Sequence, residues 1–344
     1  MRYLDVCAGI SASTVAWKPL GWEASAYSEI EPAPRAVLAH HYPDTPLHGD
    51  FTTIRGDEYG PIDLLVGGTP CQDFSVAGLR AGLDGDRGNL SLEFLRLADR
   101  TRPRWVVWEN VPGVLSIDGG RAFGAILGGL GELGYGFAHR VLDAQHFGVP
   151  QRRRRVFVVG CLGDWRSAGA VLSERHSMSG NPAPRRQARE GVADDAPLGA
   201  GGAGPGSGRQ TNGRTRAQAF GGGANCHATD VATAIAAHPG GRFDLDCETF
   251  VVGSLGHNGK AAGSATSQDG VAIGSAVRRL TPRECERLQG FPDDYTLVPN
   301  RGKPMADGPR YKCLGNSMAV PVMRWIGERI QAVDGLLLNQ GLAA

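Results

Sequence analysis

Residues 4–11 read Leu4-Asp5-Val6-Cys7-Ala8-Gly9-Ile10-Ser11, a short apolar run that breaks into small residues. A strand feeding a small-residue turn and then a helix is how a doubly wound α/β sheet builds a nucleotide site. Gly9 lets a ligand approach the backbone, and the helix that follows offers free N–H groups. The turn departs from a Gly-x-Gly pattern at its second position, where Ser11 stands. Many α/β turns share this shape, so the rest of the chain has to decide what the turn holds.

Outward from that turn, strand-type runs at 3–6, 23–28, 63–66, 105–109, 138–142 and 155–160 alternate with helical periodicity at 32–41, 90–100 and 122–133. This is the pattern of a parallel sheet with crossover helices. The last two runs lie too close for a helix between them, so they are expected to pair antiparallel as a hairpin at the sheet edge. The fold class is α/β, a Rossmann-like catalytic domain over 1–165. From 166 to 277 Gly, Ala, Ser and Pro dominate, as in GAGGAGPGSGRQTNGR at 199–214. The part near 178–217 has the composition of a flexible loop. β-prone pieces at 250–252 and 271–273 suit a small irregular β-rich module. Regular structure is expected again from 278, ending in a helix over 320–333.

With 344 residues and 41% hydrophobic content, the chain has enough material for one large domain and a smaller one. It holds no apolar run long enough to cross a bilayer and no signal-peptide pattern, so a soluble, cytoplasmic protein is expected. Cys7, Cys71, Cys161, Cys226, Cys247, Cys285 and Cys313 are scattered without a Cys-x-x-Cys pair, which argues against a disulfide framework and a zinc site. No metal is expected. A net charge of +1 excludes a protein that coats nucleic acid by bulk basicity. Positive charge is instead concentrated, most densely at Arg152, Arg153, Arg154 and Arg155.

Four further segments carry chemistry. Gly67-Gly68-Thr69-Pro70-Cys71-Gln72-Asp73-Phe74-Ser75 follows the fourth strand, which places Cys71 at the carboxyl edge of the sheet, where open α/β folds bind ligands. Trp108-Glu109-Asn110-Val111-Pro112 ends the fifth strand, beside that loop. Phe147-Gly148-Val149-Pro150-Gln151 leads into the arginine cluster, and strand alternation sets Arg153 and Arg155 on one face, Arg152 and Arg154 on the other. Lys312-Cys313-Leu314-Gly315-Asn316-Ser317-Met318 lies near the C-terminus. Glu29 stands 20 positions after Gly9, the spacing of an acid that accepts from ribose hydroxyls. Asp50, in His48-Gly49-Asp50-Phe51, is expected at the end of a third strand, near an adenine amino group.

In this order the segments resemble the motifs of the C5-cytosine-specific DNA methyltransferases of bacterial or phage type. Arg279-Leu280-Thr281-Pro282-Arg283-Glu284 is similar to the family element that supports its target-recognition domain. The resemblance covers 1–165 and 278–335, and departs at Ser11, at Cys7 where phenylalanine is usual, and at Asn89 where threonine is common.

The resemblance implies an S-adenosylmethionine-dependent enzyme whose Cys71 attacks carbon 6 of a flipped cytosine. Glu109 binds ring nitrogen 3 and the exocyclic amine, for which a partly buried position is expected. Arg155 binds the carbonyl at position 2, and Arg153 binds phosphate and raises the potential around Cys71. Cys7, Ala8, Gly9, Ile10, Glu29, Ile30, Asp50, Phe51, Pro70, Asn89, Leu90, Asn316 and Ser317 would hold the cofactor. Gln72, Ser75, Asn110 and Gln151 would face the base or the DNA.

On the same grounds, 166–277 is the target-recognition domain, 278–309 its hinge and support, and 310–344 rejoins the catalytic domain. Double-stranded DNA is the expected partner of a monomeric enzyme, with a cognate restriction endonuclease acting separately or a solitary or phage-borne role. The RNA-acting branch of the family carries a Cys-Phe-Thr motif, which this sequence lacks.

Overall fold

The computed structural model describes residues 1–70, 90–173 and 280–339, together with short strands between 218 and 278. Seven strands form the central sheet: β1 (Arg2–Val6), β2 (Glu23–Ser28), β3 (Leu47–His48), β4 (Leu64–Gly67), β5 (Trp105–Asn110), β6 (Tyr135–Asp143) and β7 (Arg154–Leu162), in the order β3-β2-β1-β4-β5-β7-β6. Strands β1 to β5 are parallel, while β7 runs antiparallel to both β5 and β6. The expected hairpin is therefore present, with β7 inserted next to β5 and β6 at the edge.

The central strands bury both faces, as a sheet covered by helices on each side must. Tyr3, Leu64, Val66, Trp105 and Val107 enter one apolar core. Their neighbours Leu4, Leu65, Val106 and Trp108 enter another on the opposite face, which is the period-2 alternation of a strand.

Eight helices are described: α1 (Ala12–Trp17), α2 (Pro32–His41), α3 (Leu90–Thr101), α4 (Arg121–Glu132), α5 (Trp165–Leu172), α6 (Pro282–Gln289), α7 (Asp307–Asn316) and α8 (Val320–Asn339). The second core is closed by Phe94 and Leu95 of α3 and Phe123 and Ile126 of α4. The first is closed by Trp17 of α1 and Met323, Ile326 and Ile330 of α8. The chain's last long helix thus packs on the N-terminal half of the fold.

Helix α5 extends the catalytic layer beyond the expected boundary at 165. Ala168, Val171 and Leu172 are buried in the first core. The helix starts against β6, where Gly136 has no Cβ because one would stand 2.1 Å from the backbone nitrogen of Trp165. It ends further along the same strand, with Arg140 Nη1 donating to Leu172 O at 2.9 Å. Arg329 of α8 donates to the carbonyls of Ala170, Val171 and Ser173, a cation on the open C-terminal end of α5. Helix α5 therefore climbs alongside β6 and delivers residue 173 towards the carboxyl edge of the sheet.

A second, five-stranded sheet comprises β8 (Gln218–Gly221), β9 (Ala228–Thr229), β10 (Thr249–Val252), β11 (Val271–Ile273) and β12 (Ala276–Arg278), ordered β12-β11-β10-β8-β9. The expected strand pieces at 250–252 and 271–273 fall in β10 and β11, and 178–217 lies outside the described residues. No helix among the described residues is long and apolar enough to cross a membrane, and no metal-binding cluster occurs among them.

Candidate active site

The carboxyl ends of β1, β4 and β5 are neighbours, so their following residues share one rim of the sheet. Asp5, Cys7, Ala8, Gly68, Glu109, Asn316, Ser317 and Met318 line a single cleft there. Expected cofactor residues (Cys7, Ala8, Asn316, Ser317) and the expected base-binding acid (Glu109) are thus brought together.

The reversal of β7 completes this rim. A strand running against β5 begins where β5 ends, and Asn110 pairs with Val156. Arg155 therefore enters at the carboxyl edge, and its Nε lies 3.1 Å from Glu109 Oε1. Arg155 Nη1 donates to Arg154 O at 2.8 Å. Glu109 is 9% exposed. Its second oxygen leaves no space at Gly68, where a Cβ would stand 2.9 Å from Oε2 and 3.2 Å from Met318 Cε.

Cys71, Gln72, Ser75 and Asn89 lie outside the described residues. The chain leading to Cys71 is described up to Pro70, which is exposed. Thr69 Oγ1 accepts from Trp108 Nε1 at 2.9 Å and bonds Ser91 Oγ at 2.7 Å. Thr69 O accepts from Asn110 Nδ2 at 2.9 Å. Asn110 Oδ1 accepts from Val111 N at 2.8 Å, and the residue is 3% exposed. Asn110 therefore ties β5 to the start of the Cys71 loop and does not present its amide to a base.

Two other expectations are corrected by burial. Arg153 is 3% exposed and its Nη2 donates to Gly315 O at 3.0 Å and Ser317 O at 2.7 Å. It sits on the C-terminal carbonyls of α7, not on a surface open to phosphate. Burial, with the charge of Arg155 added, pulls its guanidinium down to about 9. Gln151 is fully enclosed, and neither amide atom has a partner among the described residues. Arg152 and Arg154 are exposed, in keeping with strand alternation.

On the cofactor side, Cys7, Gly9 and Ser11 all have left-handed backbones, with φ of 49°, 55° and 52°. The Glu29 carboxylate accepts from Gly9 N through Oε2 and from Ile30 N and Glu31 N through Oε1, each at 2.8 Å. A carboxylate offers roughly four lone-pair sites, so one remains on Oε2. Ile30 is 68% exposed beside it, an apolar surface suited to a flat ring. Asp50 is exposed and accepts from Thr52 N at 3.0 Å. Phe51 and Ile10 are core residues, so the Ile10 side chain does not face the cleft. Leu90, at the start of α3, is half-buried against the second core.

The family model for C-5 cytosine-specific DNA methylases matches residues 1–193 and 214–332. The chain belongs to that family. M.HpaII of Haemophilus parainfluenzae, a Type II methyltransferase, is 30% identical over 95% of this chain and 88% of its own length. M2.BsuMI of Bacillus subtilis is 29% identical over 97% and 76%. A protein of Escherichia phage P1 named DNA N-6-adenine-methyltransferase is 35% identical over 95% of this chain, which spans 61% of that protein. Among solved structures, S. pombe Dnmt2 methyltransferase superposes with a TM-score of 0.64 at 15% identity, covering 97% of this methylase and 99% of that chain. A protein described as a DNA modification methyltransferase, encoded within an E. coli prophage, gives 0.60 at 18%, covering 97% and 99%. At these identities the likeness is one of fold.

Sequence reasoning passed over five residues that line this methylase's cleft: Asp5, Ala12, Ser13, Gly68 and Met318. Asp5 was readable only as a strand residue, although hydroxyl-rich Ser11-Ala12-Ser13-Thr14 downstream was a signal for a buried acid. Gly68 was hidden inside the Cys71 motif. Met318 carried no signal; its place depends on the turn after α7.

Proposed function

We propose that the chain transfers a methyl group from S-adenosylmethionine to carbon 5 of cytosine in a particular duplex DNA word, through a covalent bond from Cys71 to carbon 6. The observation carrying this reading is the shared cleft: Glu109, paired with Arg155, opens into the same space as Cys7, Ala8 and Ser317. The free lone pair on Glu29 and the exposed Ile30 fit a nucleoside. Cys7, Ala8, Gly9, Glu29, Ile30, Asp50, Asn316 and Ser317 would hold the cofactor, with Pro70, Asn89 and Leu90 at its methionine end. Bound there, it supplies an electrophilic methyl.

The chain's own residues do the rest. A stacked base is out of reach of Cys71, so the cytosine leaves the helix, at a cost of a few kcal/mol. The Cys71 thiolate adds to carbon 6, and the ring's electron pair becomes available at carbon 5 as an enamine. Glu109 provides the hydrogen bond or proton at nitrogen 3 that this addition requires. Arg155, held through Nε and Nη1, has Nη2 to offer the carbonyl at position 2. After methylation water removes the carbon 5 proton, and the returning electron pair expels Cys71. The segment between α5 and α6 is assigned to reading the DNA word, with Gln72 and Ser75 close to the base. The enzyme acts as a cytoplasmic monomer, with any cognate nuclease a separate protein.

Purified chain with labelled S-adenosylmethionine should label duplex DNA, and nucleoside analysis should find 5-methyldeoxycytidine. Label in N6-methyldeoxyadenosine, or in transfer RNA alone, would overturn the reading. Cys71→Ser should abolish both turnover and the covalent adduct with 5-fluorocytosine DNA. Glu109→Gln should lower kcat by at least about 100-fold.

A further inference from the structure

The cofactor turn is held at three successive residues from three parts of the chain. Gly9 N donates to Glu29 Oε2 at 2.8 Å, and Ile10 O accepts from Tyr295 OH at 3.0 Å. The third hold is internal to the turn and rests on Ser11, which is 1% exposed. Ser11 occupies the left-handed region that glycine enters freely and other residues rarely do. Its hydroxyl bonds Asp5 Oδ2 at 2.7 Å and Thr14 Oγ1 at 2.7 Å, and accepts from Thr14 N at 3.3 Å.

The proton order of this cluster follows from its end. Above about pH 7, where Asp5 is ionised, its carboxylate only accepts, so Ser11 and Ser13 both donate to Oδ2. Ser11 then has two lone pairs, one for Thr14 N and one for the Thr14 hydroxyl, and its 2.9 Å contact with Ser13 Oγ carries no proton. Having donated there, Thr14 Oγ1 accepts from Tyr3 OH at 2.6 Å and Tyr27 OH at 2.9 Å. Every hydroxyl of the chain Tyr3 and Tyr27, Thr14, Ser11, Asp5 is used once, in one direction. A buried network satisfied throughout is rigid, because no member can turn without stranding another.

We propose that Ser11 is a positioning residue for cofactor binding: its hydroxyl, clamped between Asp5 and Thr14, holds the turn in the conformation that a glycine would permit but not enforce. The proposal rests on the S-adenosylmethionine reading above. A preorganised turn meets its ligand without first being ordered, so the gain falls on affinity and not on the chemical step.

The test is cofactor titration of the full chain without DNA, together with the KM for S-adenosylmethionine and kcat on duplex DNA. Ser11→Ala keeps the Cβ and removes the clamp; Kd and KM should rise about five- to tenfold, with kcat within about twofold of native. Ser11→Gly relieves the backbone but leaves the turn unclamped, so its Kd and KM should lie between those of Ser11→Ala and native; fully native affinity in it would overturn the proposal. If Ser11→Ala does not fold, Thr14→Val, which keeps the shape but removes the link to Ser11 together with those to Tyr3 and Tyr27, should raise Kd and KM at least about threefold. Native-like affinity in Ser11→Ala, or in Thr14→Val where that variant replaces it, overturns the proposal. So does a loss of kcat as large as the loss of affinity. Failure of the underlying reading is distinct: the native chain itself would then not bind S-adenosylmethionine.

Discussion

Asp5 is enclosed, and burial pushes its carboxyl up from 3.8 to about 7, against the lowering effect of the Ser13 and Ser11 hydroxyls and with a further push from the Glu29 charge. Between these values the folded chain keeps a proton that the unfolded chain has lost. Stability therefore falls as pH rises from about 4 to about 7 and levels off above, with Asp5 contributing up to about 4 kcal/mol of that change. Denaturant titrations across this window should show the decline, and Asp5→Asn should flatten it; an unchanged slope in the variant would assign the effect elsewhere. At this scale the sequence was legible where residue type and chemistry coincide, as for Glu109 and Arg155. It was not legible for Arg153, Asn110 and Gln151. Local alternation says which face a residue takes, but only the packing of α7, some 160 positions away in the chain, decides whether Arg153 is covered.

The contact between α1 and α8 depends on one missing side chain. Trp17 Nε1 donates to Met323 O at 2.7 Å, and a Cβ on Gly327, one turn further on, would stand 2.3 Å from that nitrogen. Gly327→Ala should cost about 1–3 kcal/mol through overpacking, read as a lower Tm with KM for DNA little changed. Asp334 joins the same helix to β5, accepting from Arg104 Nη1 at 2.7 Å and Trp105 Nε1 at 3.0 Å. Elements with strong periodicity were readable in advance: β1, β2, β5 and α2 to α4 fall within a residue or two of expectation. Helix α5 was not, because its Ala- and Gly-containing sequence merges into the linker composition that follows. Helix α7 contains Gly308, Pro309 and Gly315; tertiary packing overrides its poor propensity. The start of α6 was readable but overlooked, since Thr281 and Glu284 form a capping box behind Pro282.

Across the whole molecule, composition separates two kinds of chain, and the structure gives the separation a geometry. The described residues of the cleft come from β1 with the turn and helix α1 after it, from Gly68 beyond β4, from β5 and from the turn after α7, with Arg155 of β7 paired to Glu109, all outside 174–279. Replacing 174–279 with the equivalent stretch of a relative such as M.HpaII should redirect methylation to that relative's DNA word. Bisulfite sequencing of DNA from expressing cells reads this directly, and methylation persisting at the native word would refute it. The fold was legible at this scale because a seven-stranded sheet repeats one signal many times. The DNA word was not, because it depends on loop geometry that no periodicity encodes.

The reversed course of β7 bears on how the inserted segment can be exchanged. One strand brings Arg155 to the rim, and the helix that follows carries the chain back up beside β6, so the connection to the inserted segment leaves from the side where the chemistry occurs. Exchanging residues 174–279 would rethread no strand of the seven-stranded sheet. On the proposed assignment, a chain built this way can change which DNA it marks and keep the means of marking it.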